Sequence, residues 1–317
     1  MEGVEHHTVS VNGINMHYAE KGDGPAILFL HGFPELWYSW RHQILALADK
    51  GYRCIAPDLR GYGDTDAPAS VTGYTVFHIV GDVVALIEAL GQQEVFVVGH
   101  DWGAIIAWQL CLFRPDRVKA LVNLSVAYRL FFSPGGDPIE YLRQVYGDDY
   151  YMYRFQKPGE IEAEFSTVDP AILMNYFLAK HDPGPLLIPK GSIARLPEMN
   201  IPRPSWISEE DIEYYASKFR NTGYTGGVNY YRMLSLDAEM LAVWMGAQVR
   251  VPTKFVIGDQ DLTYSMPGVK DYIHGEQFKK DVPLLKEVVV LEGAAHWINQ
   301  ERADEITDHI YNFIIKF

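Results

Sequence analysis

The chain is short of the features that mark secreted, membrane-embedded or nucleic-acid-binding proteins. Two cysteines, Cys54 and Cys111, occur among 317 residues, too few for a disulfide scaffold. Each stands in an apolar run (YRCIA and WQLCLF), where a free thiol behaves as a small hydrophobe. Positive charge is scarce as well: 27 Lys and Arg face 41 Asp and Glu, for a net charge of −14. Such a body repels phosphate backbones and anionic lipid, so no nucleic-acid partner is expected. No apolar run reaches membrane-spanning length, which argues against membrane insertion. The N-terminal MEGVEHHTVSVNG has neither the basic start nor the apolar centre of a signal peptide. A cytoplasmic protein acting on a small molecule is the expectation that remains.

What is present is an ordinary globular composition, 48% hydrophobic and 21% charged, in a chain long enough to bury a large core. HTVSVNGINMHYAEKG alternates apolar and polar residues around Asn-Gly, a strong hairpin signal. Short apolar runs (PAILFLH, YRCIAPDL, EVFVVGHD, VKALVNLSV) then alternate with helical stretches. That rhythm predicts βαβ units, a mostly parallel twisted sheet with helices on both faces. It lapses near residue 128 and resumes at VPTKFVIGDQD and KEVVVLEG. The domains read as an α/β core, 1–127 and 247–317, with a helical lid, 128–246, inserted before the last strands. Within the lid, Ser208 and Asp211 predict a capping box ahead of DIEYYASKFR. Six prolines between His181 and Trp206 exclude regular structure throughout that span.

The chemistry concentrates at Gly99-His100-Asp101-Trp102-Gly103, where an apolar strand turns into an apolar helix. Aspartate is common in turns for local hydrogen bonding. Here, however, it sits at the carboxyl end of a buried strand, where open α/β sheets place their sites. The flanking glycines leave room for the sharp elbow that carries a serine in many hydrolases. An aspartate, with a reference pKa of about 3.9, is already an ionised nucleophile at neutral pH. Its attack on an ester gives an unstable anhydride, whereas attack on a saturated carbon gives a stable alkyl ester. Alkyl halides and epoxides are the substrates that fit.

Hydrolysis of that ester calls for a base and an oxyanion hole. His296 follows the last predicted strand in LEGAAHWINQ, and Asp261 follows the preceding one in GDQDLTY. Asp259 competes with Asp261 for the orienting role. Asp101, Asp261 and His296 stand in the nucleophile, acid, histidine order of the α/β-hydrolase fold. In HGFP the Phe33 amide, with that of Trp102, supplies the expected oxyanion hole; the isomer of the Phe33–Pro34 bond stays open. An epoxide oxygen, unlike a halide, also needs a proton donor, and tyrosine with its reference pKa of about 10 suits that role. The lid carries twelve of the twenty tyrosines, an enrichment too mild to say which ones serve.

Motifs along essentially the whole chain resemble the soluble epoxide hydrolases of the α/β-hydrolase superfamily, the plant members most closely: HGFP, DLRGYGDTDAP, VGHDWGAIIAW, YRFQKPGEIEAEF, GYTGGVNYYR, GDQDLTY and EGAAHW. The resemblance implies conversion of an epoxide and water to a vicinal diol through an alkyl ester on Asp101. It implies two lid tyrosines that grip the epoxide oxygen, at Tyr151 and Tyr231, with Tyr150 and Tyr230 as adjacent alternatives. Phe33, Trp102 and the two tyrosines are the expected substrate contacts, and a hydrophobic lipid epoxide or aromatic oxide the expected substrate. No metal or organic cofactor is implied, and the chain reads as a monomer or homodimer. Haloalkane dehalogenase, with the same triad and the Trp102 indole holding halide, is the alternative. Those enzymes usually carry a polar residue where Phe33 stands and lack the tyrosine pair. A ligand receptor on a hydrolase scaffold is a weaker reading against an intact triad.

Overall fold

The computed structural model describes residues 2–128 and 136–317. Eight strands form one sheet: β1 (Glu5–Val11), β2 (Ile14–Lys21), β3 (Ala26–Leu30), β4 (Arg53–Pro57), β5 (Val95–His100), β6 (Val118–Leu124), β7 (Thr253–Gly258) and β8 (Leu285–Leu291). Their order is β1-β2-β4-β3-β5-β6-β7-β8. β1 pairs antiparallel with β2 and β2 with β4, and every later pair is parallel. The first hairpin turns on Asn12 and Gly13, at φ 46° and 80°. Both lie in the left-handed region that a two-residue type I′ turn demands. Every residue of β3 and β5 is buried, so their apolar runs serve both covered faces of the sheet. Edge strand β1 mostly alternates exposed and half-buried positions.

Within the core, α1 (Arg41–Ala48), α2 (Val76–Ala89) and α3 (Trp102–Phe113) follow β3, β4 and β5. A series of helices then leads from β6 to β7: α4 (Pro138–Tyr146), α5 (Tyr151–Arg154), α6 (Glu160–Phe165), α7 (Pro170–Leu178), α8 (Glu209–Thr222), α9 (Thr225–Arg232) and α10 (Leu234–Leu241). The chain closes through α11 (Val269–His274), α12 (Glu276–Asp281), α13 (Ile298–Glu301) and α14 (Ala303–Ile314). α1 packs on α14 and α2 on α3, completing the α/β architecture that the strand rhythm predicts. Both cysteines are buried thiols. No helix among the described residues is long and apolar enough to cross a membrane.

Among the described residues no strand lies between Leu124 and Thr253; residues 129–135, at the start of the expected lid, lie outside those described. The helices of this segment are locally specified. Asp137 and Asp169 cap α4 and α7 by accepting from Ile139 and Ala171 amides, each ahead of a proline at the first helical position. Ser208 and Asp211 form the expected capping box of α8, each side chain accepting from the other's backbone N–H. The proline-rich span holds a single short turn of 3-10 helix, Ile193–Glu198. Asp237 of α10 accepts the Val76 N–H at 3.0 and 3.2 Å from its two carboxylate oxygens. It thereby caps α2 from across the boundary between the inserted helices and the sheet layer.

Candidate active site

Asp101 stands between β5 and α3 with φ 53° and ψ −120°, a conformation an L-residue holds only when its surroundings impose it. Two glycines let the elbow press inward. A Cβ on Gly103 would meet Leu30 O at 2.0 Å, and one on Gly32 would meet Asp101 Oδ1 at 2.2 Å. The Gly32 gap lets the carboxylate reach the loop after β3, where the Phe33 N–H donates to Asp101 Oδ1 at 2.7 Å. The Phe33–Pro34 bond, open in the sequence, is cis. The Trp102 amide is the first N–H of α3, one of the four that no carbonyl within a helix can satisfy.

His296 lies in the loop after β8, its Nε2 3.4 Å from Asp101 Oδ2. On the other side its Nδ1 lies 3.0 and 3.1 Å from the two oxygens of Asp261. Asp261 also accepts the Thr263 N–H at 2.8 Å and the Thr263 hydroxyl at 2.9 Å. Asp259 instead accepts from the Gly293 N–H and the Gln260 amide, turning away from the imidazole. Burial works against charge on both partners. The neighbouring Asp261 and Asp101 outweigh it at His296, lifting its pKa to about 10, and His296 with the Thr263 amide holds Asp261 below the usual carboxylate range. The position between Asp101 and Asp261 thus favours the charged form of His296.

Sequence reasoning missed the support behind this row. The His296 carbonyl accepts from His100 Nε2 at 2.7 Å and from the Ser125 hydroxyl at 3.2 Å. A carbonyl cannot donate, so His100 carries a proton on Nε2 and turns Nδ1 toward Glu35 Oε2, 3.0 Å away. Glu35 in turn accepts from Gln300 at 2.8 Å. Glu35, His100 and Ser125 are fully buried. Glu35 directly follows HGFP and His100 directly precedes Asp101; a charged or polar residue set beside a catalytic motif in an otherwise apolar context was the available signal.

The tyrosines come from the inserted helices. Tyr151 opens α5 and Tyr231 lies near the end of α9, their rings 5.6 Å apart and edge to face. Both line one cleft with Phe33, Asp101 and His296. The neighbouring candidates do not line that cleft: Tyr150 stacks on Tyr146 at 4.6 Å and stands behind Tyr151, to which its side chain is hydrogen-bonded, and the Tyr230 hydroxyl donates to Arg60 O at 2.8 Å. Trp102 stands behind Tyr231, ring to ring at 5.1 Å. Burial, reinforced by the Asp101 charge, pushes the Tyr151 and Tyr231 phenols well above the ordinary tyrosine value, although a hydrogen bond with the Trp102 side chain pulls Tyr231 back. At neutral pH both are firmly protonated donors.

Two motifs hold these phenols in register. Arg232 grips both Glu162 oxygens, at 2.8 and 2.9 Å, and donates to Phe155 O at 2.9 Å. The Gln156 amide donates to Tyr231 O at 3.0 Å. YRFQKPGEIEAEF and GYTGGVNYYR are therefore two sides of one clamp. Gly226 lets α9 approach the sheet layer, since a Cβ there would meet Gly61 O at 2.1 Å.

A family model described as the α/β hydrolase fold matches residues 25–303. An epoxide hydrolase of Siraitia grosvenorii is 59% identical over 317 residues, covering the whole of both chains. Among solved structures, an epoxide hydrolase from Vigna radiata superposes with a TM-score of 0.95 at 57% identity, covering 100% of this chain and 99% of that one. Potato epoxide hydrolase I does so with a TM-score of 0.95 at 56% identity, covering 99% and 100%. Matched by that family model over most of its length and 59% identical to an epoxide hydrolase over the whole of both chains, the chain belongs to the epoxide hydrolases of the α/β-hydrolase superfamily.

Proposed function

We propose that the protein hydrolyses hydrophobic epoxides to vicinal diols through a covalent ester on Asp101. The observation that carries this reading is one cleft lined at once by Asp101, His296 and the two phenols Tyr151 and Tyr231. Asp101 Oδ1 is held by the Phe33 amide, which leaves Oδ2 to attack a ring carbon. The ring C–O bond breaks, and its electron pair goes to the oxygen held by Tyr151 and Tyr231, which takes a phenolic proton. Oδ1 becomes the ester carbonyl oxygen, already at the Phe33 amide, with the Trp102 amide as the second donor for the later oxyanion.

The ester carries no charge, so one of the groups that raise the His296 pKa disappears on alkylation. The imidazolium then releases the proton needed to restore the phenol and becomes the base for the second step. Oriented by Asp261, it takes a proton from a water that attacks the Asp101 carbonyl carbon; the acyl C–O bond then breaks, the leaving alkoxide takes the proton of the new carboxyl group, and the diol departs with Asp101 and His296 restored. No step calls for a metal or organic cofactor.

In this reading residues 128–246 form the lid and 1–127 with 247–317 the core, so ring opening needs both. The apolar walls, Phe33, Phe177, Leu186, Leu262 and Trp297, suit a lipid epoxide or an aromatic oxide. The halide alternative loses support at Trp102, whose side chain is engaged with Tyr231. Offering styrene oxide and a haloalkane in parallel tests the assignment. Diol formation without halide release is expected; halide release without diol would overturn it.

A further inference from the structure

We infer that Glu301 is a positioning residue for the second chemical step, holding the loop that presents His296 to the ester on Asp101. The inference rests on the two-step reading above and adds to it a side chain that does not line the cleft. Glu301 closes α13 and reaches back along the chain, where the Ala295 N–H donates to its Oε2 at 3.0 Å. Ala295 directly precedes His296 and is 1% exposed, and a buried amide needs an acceptor. The other end of this two-residue span is the His296 carbonyl, which accepts from His100 and Ser125. The backbone of the base is therefore pinned on both sides. One pin fixes its place; two fix the rotation of the span that aims the imidazole.

The aim has little slack. His296 Nε2 stands 3.4 Å from Asp101 Oδ2, already beyond ordinary hydrogen-bond length, and a misplacement of about 1 Å can slow a step by about 10²-fold. The carboxylate is itself held. Its side chain is 9% exposed, and its Oε1 lies 3.1 Å from Nε2 of the exposed His181, in the segment that follows α7. The Trp297 Nε1–H donates to Phe177 O of α7 at 3.0 Å, a second tie between that part of the chain and the loop of the base. None of these ties runs to Asp101, whose place is set by the β5 elbow and the Phe33 amide. Loss of the Glu301 carboxylate should therefore reach ester hydrolysis and spare alkylation.

The test is rapid-mixing single turnover of styrene oxide, followed by intact mass, in the wild type, Glu301→Ala and Glu301→Gln. Glu301→Ala should slow decay of the alkyl-enzyme about tenfold with its formation little changed, so that more of the protein carries the substrate mass. Should that variant not fold, Glu301→Asp, one methylene short of the amide, stands in with the same expectation. Glu301→Gln, which keeps an oxygen for the Ala295 N–H, should decay near the wild-type rate. Partial loss of folded enzyme lowers the amplitudes of both steps and leaves both rate constants alone, so a merely structural role does not produce the split. Unchanged decay in the shortened variant, equal slowing of both steps, or a Glu301→Gln as slow as the shortened variant would overturn the positioning role alone. A His296→Gln variant that turns styrene oxide over without ever carrying its mass would remove the covalent reading, and this inference with it.

Discussion

The carboxylates and imidazole of the site hang from the carboxyl ends of parallel strands, whereas the two phenols hang from helices of four and eight residues. The first set is positioned by the sheet. β5, β6, β7 and β8 run side by side as parallel ladders, and the loops beyond them share one edge. The second set has no ladder and depends on Arg232, Glu162 and Gln156 for its register. On the proposed mechanism, the contrast teaches that the nucleophile and base are properties of the fold, while the epoxide-opening acids are properties of a side-chain clamp. Damage to the clamp should therefore separate the two chemical steps.

The largest effect should come from removing the phenols. Tyr151→Phe with Tyr231→Phe is expected to slow alkylation by about 10³-fold or more, with each single change milder. Ester hydrolysis, followed by single-turnover kinetics, should move far less. Equal slowing of both steps would erase the distinction between the regions. Next, Asp101→Asn keeps the shape and removes one of the charges that raise His296. The imidazole is expected to titrate lower by on the order of one pH unit in NMR, as the mechanism requires of the alkylated enzyme. An unchanged titration would mean that Asp261 alone sets it.

A smaller effect is expected from the clamp itself. Arg232→Met leaves the part-buried Glu162 without its bidentate partner, and chemical denaturation should show a loss of about 2 kcal/mol. Alkylation should slow more than ester hydrolysis; a stability loss without that split would make the clamp merely structural. The smallest effect concerns the Asp237 cap between α10 and α2. Burial raises its carboxyl from 3.8 to about 7, against the opposing Val76 N–H. Because the folded value is the higher one, its contribution to stability is full below about pH 4 and lost as pH rises toward 7. Asp237→Asn, neutral throughout, is expected to gain on the wild type across that window by on the order of 2 kcal/mol. Parallel stability curves would show that the cap carries no charge-dependent strain.

The same contrast explains what could be read in advance. The sheet was legible because its inner strands are apolar runs, because Asn12-Gly13 marks the first hairpin, and because Asp101, Asp261 and His296 each follow a strand. The phenols were not legible from the residues themselves. Tyr150-Tyr151 and Tyr230-Tyr231 are adjacent pairs, and which member faces the cleft depends on the rotation of a short helix set by distant partners. Family motifs favoured Tyr151 and Tyr231, the two that line the cleft. Glu35, His100 and Ser125 stayed hidden because their roles depend on burial and on a carbonyl, neither of which leaves a spacing in the sequence.

The two-step division at Asp101 and His296 is tested most directly by intact-mass measurement on His296→Gln mixed with an aryl epoxide. The expected result is accumulation of protein carrying the mass of one substrate, lost on substitution of Asp101 by Ala. Full turnover with the protein mass unchanged throughout would contradict the covalent route.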